Sequence, residues 1–309
     1  MKSVAERMKE FVAYHINGDG ECNGVLLKAY ADEHELNRQQ RFDLAYFYSV
    51  TYCIPSALII FYQKEEMLKE PYRWADKNIG RILFQSDRRY ARLNGNFRQM
   101  LYYYCAHLQN ADDYIKKTST GNKIVLDKAL AETQGWYFFG RFGAFLFVET
   151  LCRLLGWEIE NADTIEWKDG DTATSGLMNL FALDKSADYF DKTDKLPQNI
   201  TQEKLDDLLH RTIAHIQAAG GVTSIAEVET SLCAYRKFYK GSRYNGYYLD
   251  RQLEELVHYE KVPGCGVIVR DLYRLRRKLF RPQYLGEIGG WKGVRKDCKT
   301  LYKRTGRMM

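Results

Sequence analysis

A chain of 309 residues with 45% hydrophobic content can bury one large core or two modest ones, which excludes a disordered tail as the whole of it. No apolar run reaches the roughly 18 residues that span a bilayer, and Met1 to Lys9 carries charge where a secretion signal is apolar, so a cytoplasmic protein with no membrane partner is expected. The net charge is only +6, but the forty residues from Arg270 to Met309 hold thirteen Lys/Arg against Asp271, Glu287 and Asp297, so one end is cationic and the rest slightly acidic.

Apolar residues recur three and four apart through most of the chain, few runs alternate with period two, and prolines number five, which together predict an all-α fold. Helices are expected over Val4 to His15, Val25 to Glu33, Asn37 to Cys53, Ser56 to Leu68 and Tyr90 to Lys117. The Asn37 segment should stop near Ile54, because Pro55 biases its predecessor away from the helical region. Further helices are expected over Ile124 to Glu132, Arg141 to Leu155, Gln202 to Ala219, Ser224 to Tyr239, Tyr248 to Tyr259 and Gly266 to Leu279. Glu158 to Gly176 and Lys185 to Asn199 are polar and read as loops. The organisation expected is two-lobed: an N-terminal helical lobe over 1–134, and a C-terminal lobe over 135–309 that carries a hairpin and the basic end.

Four segments can carry chemistry. Between Arg81 and Arg98 lies a basic cluster whose Arg88, Arg89 and Arg92 could face the C-terminal cations across a groove. Gly135 to Leu151 is dense in aromatics, and its phenylalanines read as core. Within that stretch Arg141 and Glu149 must be paired or face a cavity, and Glu149 has Arg153 four residues on as one available partner. Glu229 to Arg251 combines Arg236, Lys237, Lys240 and Arg243 for phosphate with Tyr244 or Tyr247 for stacking on a base; an exposed loop with partly packed tyrosines is the plainer reading.

The fourth segment is Val262-Pro263-Gly264-Cys265-Gly266, a tight turn into a helix start, where exposed N–H groups and the positive dipole end make an anion cradle. The pattern resembles the hairpin of helix-hairpin-helix DNA-binding proteins, in which Gly264 and Gly266 would hold a DNA phosphate. Arg270 and Arg274 lie four apart with Arg277 next on the same face, a stripe able to follow a DNA backbone. Tyr273, Phe280, Tyr284, Trp291 and Tyr302 are interleaved with these cations and add stacking groups, so nucleic acid is the expected partner.

No metal and no cofactor are expected. The seven cysteines lie at least 31 positions apart, and His210 and His215 are five apart rather than four. Gly18-x-Gly20-x3-Gly24 has neither the spacing nor the preceding strand of a dinucleotide turn, and a P-loop is missing.

With these residues in place, the chain resembles the helical enzymes of bacteriophage DNA hypermodification, the amino acid:DNA transferases or α-glutamyl/putrescinyl-thymine pyrophosphorylases. The likeness rests on Gly140-Arg141-Phe142-Gly143-Ala144-Phe145 with Glu149, on Glu229 to Asp250 with its Arg243-Tyr244-x-Gly246-Tyr247-Tyr248-x-Asp250-Arg251 run, and on the helical body, over residues 36 to 290 or so. It implies a two-lobed fold akin to helix-hairpin-helix DNA glycosylases, working in the host cytoplasm if the protein is phage-encoded. It also implies a substrate: DNA carrying 5-hydroxymethyluracil phosphorylated or pyrophosphorylated on its methylene oxygen, a leaving group that a small amine or amino acid replaces. Arg141, Arg236, Lys237 and Arg243 would hold the leaving group, Glu149, Glu229 or Asp250 would take the amine proton, and Tyr244 and Tyr247 would stack on the ring. A helix-hairpin-helix glycosylase is the alternative, weakened because Gln283 to Glu287 offers a glutamate where such enzymes carry an aspartate. A non-catalytic DNA-binding protein is the third reading.

Overall fold

The computed structural model describes residues 6, 9, 12, 22–160, 172–181, 201–220, 225–239 and 247–280. The described chain is almost wholly helical, in keeping with the all-α expectation, and divides into two compact units that are discontinuous in sequence. One comprises 23–160 and 253–279 and is called the hairpin unit below. The other, the inserted unit, comprises 1–22, 161–252 and 280–309. Neither is bounded at 134/135, where the sequence reading put its division.

The hairpin unit opens with α1 (Cys22–Glu33), α2 (Arg38–Thr51), α3 (Ile54–Tyr62), α4 (Lys64–Lys69) and α5 (Pro71–Asn78). Asn37 and Gln40 form a capping box at the start of α2, which is why that helix begins where the Asn is. It ends at Tyr52, whose φ of 53° turns the chain, and Pro55 then sits in the first turn of α3, where a missing N–H costs nothing. Two 3-10 turns, Ile79–Arg81 and Ser86–Arg92, lead to α6 (Asn96–His107) and α7 (Ala111–Thr118). The single helix expected over Tyr90 to Lys117 is therefore broken twice: Asn94 and Gly95 both adopt positive φ before α6, and Asn110 caps α7.

Then follow β1 (Ser119–Thr120), β2 (Lys123–Val125), α8 (Leu126–Gln134), α9 (Arg141–Leu155) and β3 (Glu158–Glu160). The strands make a small sheet, β1 antiparallel and β3 parallel to β2, with Ile124 opposite Ile159. Rings from α2, α6, α7 and α9 form the core. Phe42 meets Phe147 at 5.3 Å, Tyr46 meets Phe139 at 5.3 Å, and Trp136 meets Phe147 at 4.8 Å. These contacts put α9 in the same core as α2, which is the physical reason the chain does not divide near residue 135. Asp43 is buried in that core and saturated, accepting from Gln39 Nε2, Lys64 Nζ and the Tyr104 hydroxyl, each at 2.6 Å.

The inserted unit contains α10 (Thr172–Phe181), α11 (Gln202–Ala218) and α12 (Ile225–Tyr239). Leu177, Leu180, Leu205, Leu209, Val228 and Leu232 are among its buried residues. A Cβ on Gly176 would run into the Leu232 backbone carbonyl, so only glycine lets α10 lie this close to α12. The helix α13 (Tyr247–Tyr259) belongs to the inserted unit up to Gln252 and to the hairpin unit beyond it, and α14 (Gly266–Leu279) belongs to the hairpin unit.

Candidate active site and nucleic-acid interface

Helices α13 and α14 are joined by a turn at the Pro-Gly-x-Gly segment, as expected from its residues. Gly264 adopts φ 80°, a conformation an L side chain resists, and Gly266 opens α14. Cys265 N donates to Val262 O at 3.2 Å and Cys265 itself is buried, while Pro263, Gly264 and Gly266 stay exposed. The turn is tied to its own unit from two sides. Arg81 Nη2 donates to Pro263 O at 2.7 Å, and the buried Tyr259 hydroxyl donates to Arg81 O at 2.8 Å while accepting from Leu83 N at 3.0 Å. The first N–H groups of α14, which begins at Gly266, have no acceptor one turn back within the helix, as at any helix start.

The arginine stripe on α14 is only partly available. Arg270 and Arg277 are exposed, and Arg277 stacks on Tyr273 with its guanidinium 6.0 Å from the ring centre. Arg274 instead forms a two-pronged ion pair with Glu33, and this hydrogen-bonded pairing holds the Glu33 carboxyl below its ordinary pKa.

At the start of α9 the arrangement departs from the sequence reading. The phenylalanines here were expected in the core; Phe139 is, but Phe138 and Phe142 are 37% and 41% exposed. The signal was present in the spacing. Phe142, Phe145, Glu149 and Arg153 fall on one helical stripe at intervals of three and four, and this stripe is the less buried face of α9. Glu149 is half-buried on it, one turn from Cys152, whose thiol is pushed up to about 12 by burial and then by the Glu149 charge, with Arg153 opposing. Arg141 is exposed in the first turn.

Arg88, expected on a basic surface, is instead buried at 4% exposure, whereas Arg89 and Arg92 are exposed as expected. Its guanidinium turns inward under the start of α9. Nη1 donates to Phe138 O at 3.3 Å, the Phe139 ring centre is 5.1 Å away, and a Cβ on Gly143 would come within 2.8 Å of Nη1. Among the described residues no carboxylate pairs with it. Burial lowers its pKa to about 10, which leaves it charged at neutral pH.

In the inserted unit, Glu229, Arg236 and Lys237 lie half-buried on α12, with Glu229 and Arg236 seven residues apart and so on one face. Asp250, 5% exposed, stands in the first turn of α13. All four interact with neighbouring groups. Cations in the last turn of α12 and an acid in the first turn of α13 also suit the helix dipoles, an ordinary structural use of these residues. Arg243, Tyr244 and the basic end beyond Phe280 lie outside the described residues, as does the side chain of Tyr247.

Among the described residues no helix is long and apolar enough to cross a membrane, and no group of three or more His, Cys, Asp or Glu could hold a metal ion. The fold and these sites define a helical protein with an anchored glycine turn between its last two described helices and an arginine-rich, aromatic surface at the start of α9. The chain belongs to the amino acid:DNA transferase family, whose model matches residues 35–244, more than half of its length. That membership makes DNA modification by group transfer its coarse function and implies DNA and an amine donor as partners. The match runs from α2 through α12 and ends before Tyr247, Asp250 and the hairpin. No curated protein matches the chain.

Proposed function

We propose that this protein replaces the phosphate or pyrophosphate carried by 5-hydroxymethyluracil in DNA with an amine, an amino acid or a polyamine, giving a hypermodified thymine. The observation that carries the reading is the family match over residues 35–244. In the step proposed, the amine nitrogen bonds to the methylene carbon and the carbon–oxygen bond to the phosphoryl group breaks. The leaving group departs with the bonding pair, and the ammonium proton passes to a carboxylate.

Chemistry of this kind needs three things: cations for the departing anion, a base near the amine, and a seat for a base taken out of its stack. Arg141, Arg236, Lys237 and Arg243 are the leaving-group candidates, because a guanidinium fork matches spread phosphoryl charge. Glu149, Glu229 and Asp250 are the candidate bases. The burial of Asp250 and the half-burial of the other two support a role out of bulk water for any of them. Tyr244 and Tyr247 remain candidates for stacking. The exposed Gly264 and Gly266, with Arg270 and Arg277, would hold a strand, and Arg89 and Arg92 add positive potential.

The test is mass spectrometry of nucleosides released from 5-phosphomethyluracil DNA after incubation with the protein and a mixture of amino acids and polyamines. A new adduct at the modified base is expected, and an unaltered nucleoside profile would overturn the reading. The anchored glycine turn between α13 and α14 supports one second reading, a helix-hairpin-helix glycosylase, which would instead leave abasic sites in uracil-containing or damaged DNA.

A further inference from the structure

Around the first turn of α9, aromatic rings that a folded domain would ordinarily bury stand in solvent. Tyr137, Phe138 and Phe142 are 39%, 37% and 41% exposed, and Tyr90, in the neighbouring 3-10 turn, is 51% exposed. They are not loose. Asn96 binds the segments together, donating from Nδ2 to Tyr90 O at 3.2 Å and accepting from the Tyr137 hydroxyl at 3.1 Å. Phe142 packs edge-on against Tyr52 at 5.7 Å, and Arg89 lies over the Tyr90 ring at 4.4 Å.

Two of these aromatics sit on left-handed backbone: Tyr52 at φ 53° and Phe138 at φ 61°. For a bulky side chain that conformation is costly, and it persists only where its surroundings enforce it. At Phe138 the enforcement comes from Arg88, which holds the Phe138 carbonyl and faces the ring from 5.8 Å. The outcome is a ring pushed outward over a buried positive charge. Arg88 Nε has no hydrogen-bond partner among the described residues, and the first turn of α9 follows Gly140 with no side-chain cap. Positive potential therefore gathers behind and beside the rings, with exposed Arg89, Arg92 and Arg141 at the margin.

We propose that this face is the stacking platform for an unstacked base of a DNA strand, with Phe138 and Phe142 meeting the ring and the surrounding arginines attracting the strand. A single strand offers flat rings beside negative charges, and this surface offers the complement of both. The inference rests on the DNA-directed reading above and assigns the stacking role to Phe138 and Phe142 within the hairpin unit.

The experiment uses the full chain and a single-stranded oligonucleotide with one 5-iodouracil, irradiated and mapped by peptide mass spectrometry. The adduct is expected on the Tyr137–Phe142 segment or on Tyr52. Phe138→Asn removes the ring while keeping a residue that tolerates left-handed backbone. This variant and Phe142→Ala should each lower the cross-link yield and strand affinity about fivefold or more, the range of one lost base–aromatic stack, with melting temperatures close to wild type. An adduct confined to other segments, with the oligonucleotide still bound, would overturn this platform and leave DNA binding standing. Failure to bind the oligonucleotide at all would also overturn the platform, whereas the DNA-directed reading falls only if the nucleoside assay above shows no adduct.

Discussion

Tyr259 and Ser56 should be strongly coupled, because they share the hydrogen bonds that fix the hairpin to its unit. The Tyr259 hydroxyl is buried, donates to Arg81 O at 2.8 Å, accepts from Leu83 N at 3.0 Å, and lies 2.6 Å from Ser56 Oγ. Ser56 Oγ duplicates part of this work: it accepts from Leu83 N at 3.0 Å, and its one proton is shared between Leu83 O at 2.9 Å and the Tyr259 oxygen at 2.6 Å. In Tyr259→Phe, Leu83 N keeps Ser56 and Ser56 keeps Leu83 O, so only the Arg81 carbonyl loses its donor. The cost should be about 1–2 kcal/mol rather than the sum of three bonds. In Ser56→Ala, Leu83 N keeps Tyr259, and the cost is again about 1 kcal/mol. Only the double variant leaves the half-buried Leu83 N–H with neither hydroxyl, adding about 1 kcal/mol or more beyond the two singles. Urea unfolding of the four proteins measures this as midpoint shifts at constant slope. Additivity within about 0.5 kcal/mol would refute the shared-partner geometry.

In the inserted unit, Gly176→Ala should destabilise by about 1–3 kcal/mol in chemical unfolding, because the obstructing Leu232 carbonyl is backbone and cannot rotate aside. Glu33 is depressed in the folded state by its hydrogen bond to Arg274, so its stabilising contribution is complete above the ordinary value of 4.5 and fades as pH falls through the lowered one. Unfolding midpoints measured from about pH 5 downward should therefore fall more steeply in the wild type than in Arg274→Ala. Arg270→Ala and Arg277→Ala should each weaken DNA binding similarly for all sequences and reduce the slope of log affinity against log salt by about 1, as filter binding at several ionic strengths would show.

Local signals in the sequence located several elements closely. Arg141–Leu155 and Gly266–Leu279 form as expected, and the turn at Gly264 follows from its residues alone. Where local chemistry was subtler the expectation failed: Asn94-Gly95 and Asn110 break one long periodic stretch, and Gln63 divides Ser56 to Leu68. The three strands are two or three residues long, too short to show a period. Helix α10 lies partly in a stretch read as loop, since Thr, Ser and Gly disguise its buried face. The site depended on partners distant in sequence. That Arg274 is taken by Glu33, that Arg88 turns inward beneath Phe138, and that Arg81 grips Pro263 are facts of tertiary placement that no spacing rule encodes.

The central claim is that an amine takes the place of a phosphoryl leaving group on DNA. Its most direct measurement follows both products together, using DNA with a radiolabelled phosphate on the modified base and an isotopically heavy amine. Label released as free phosphate in equal amounts with heavy nitrogen fixed in the DNA is the predicted result. Phosphate set free while the DNA gains no nitrogen, or bases lost to leave abasic sites, would contradict it.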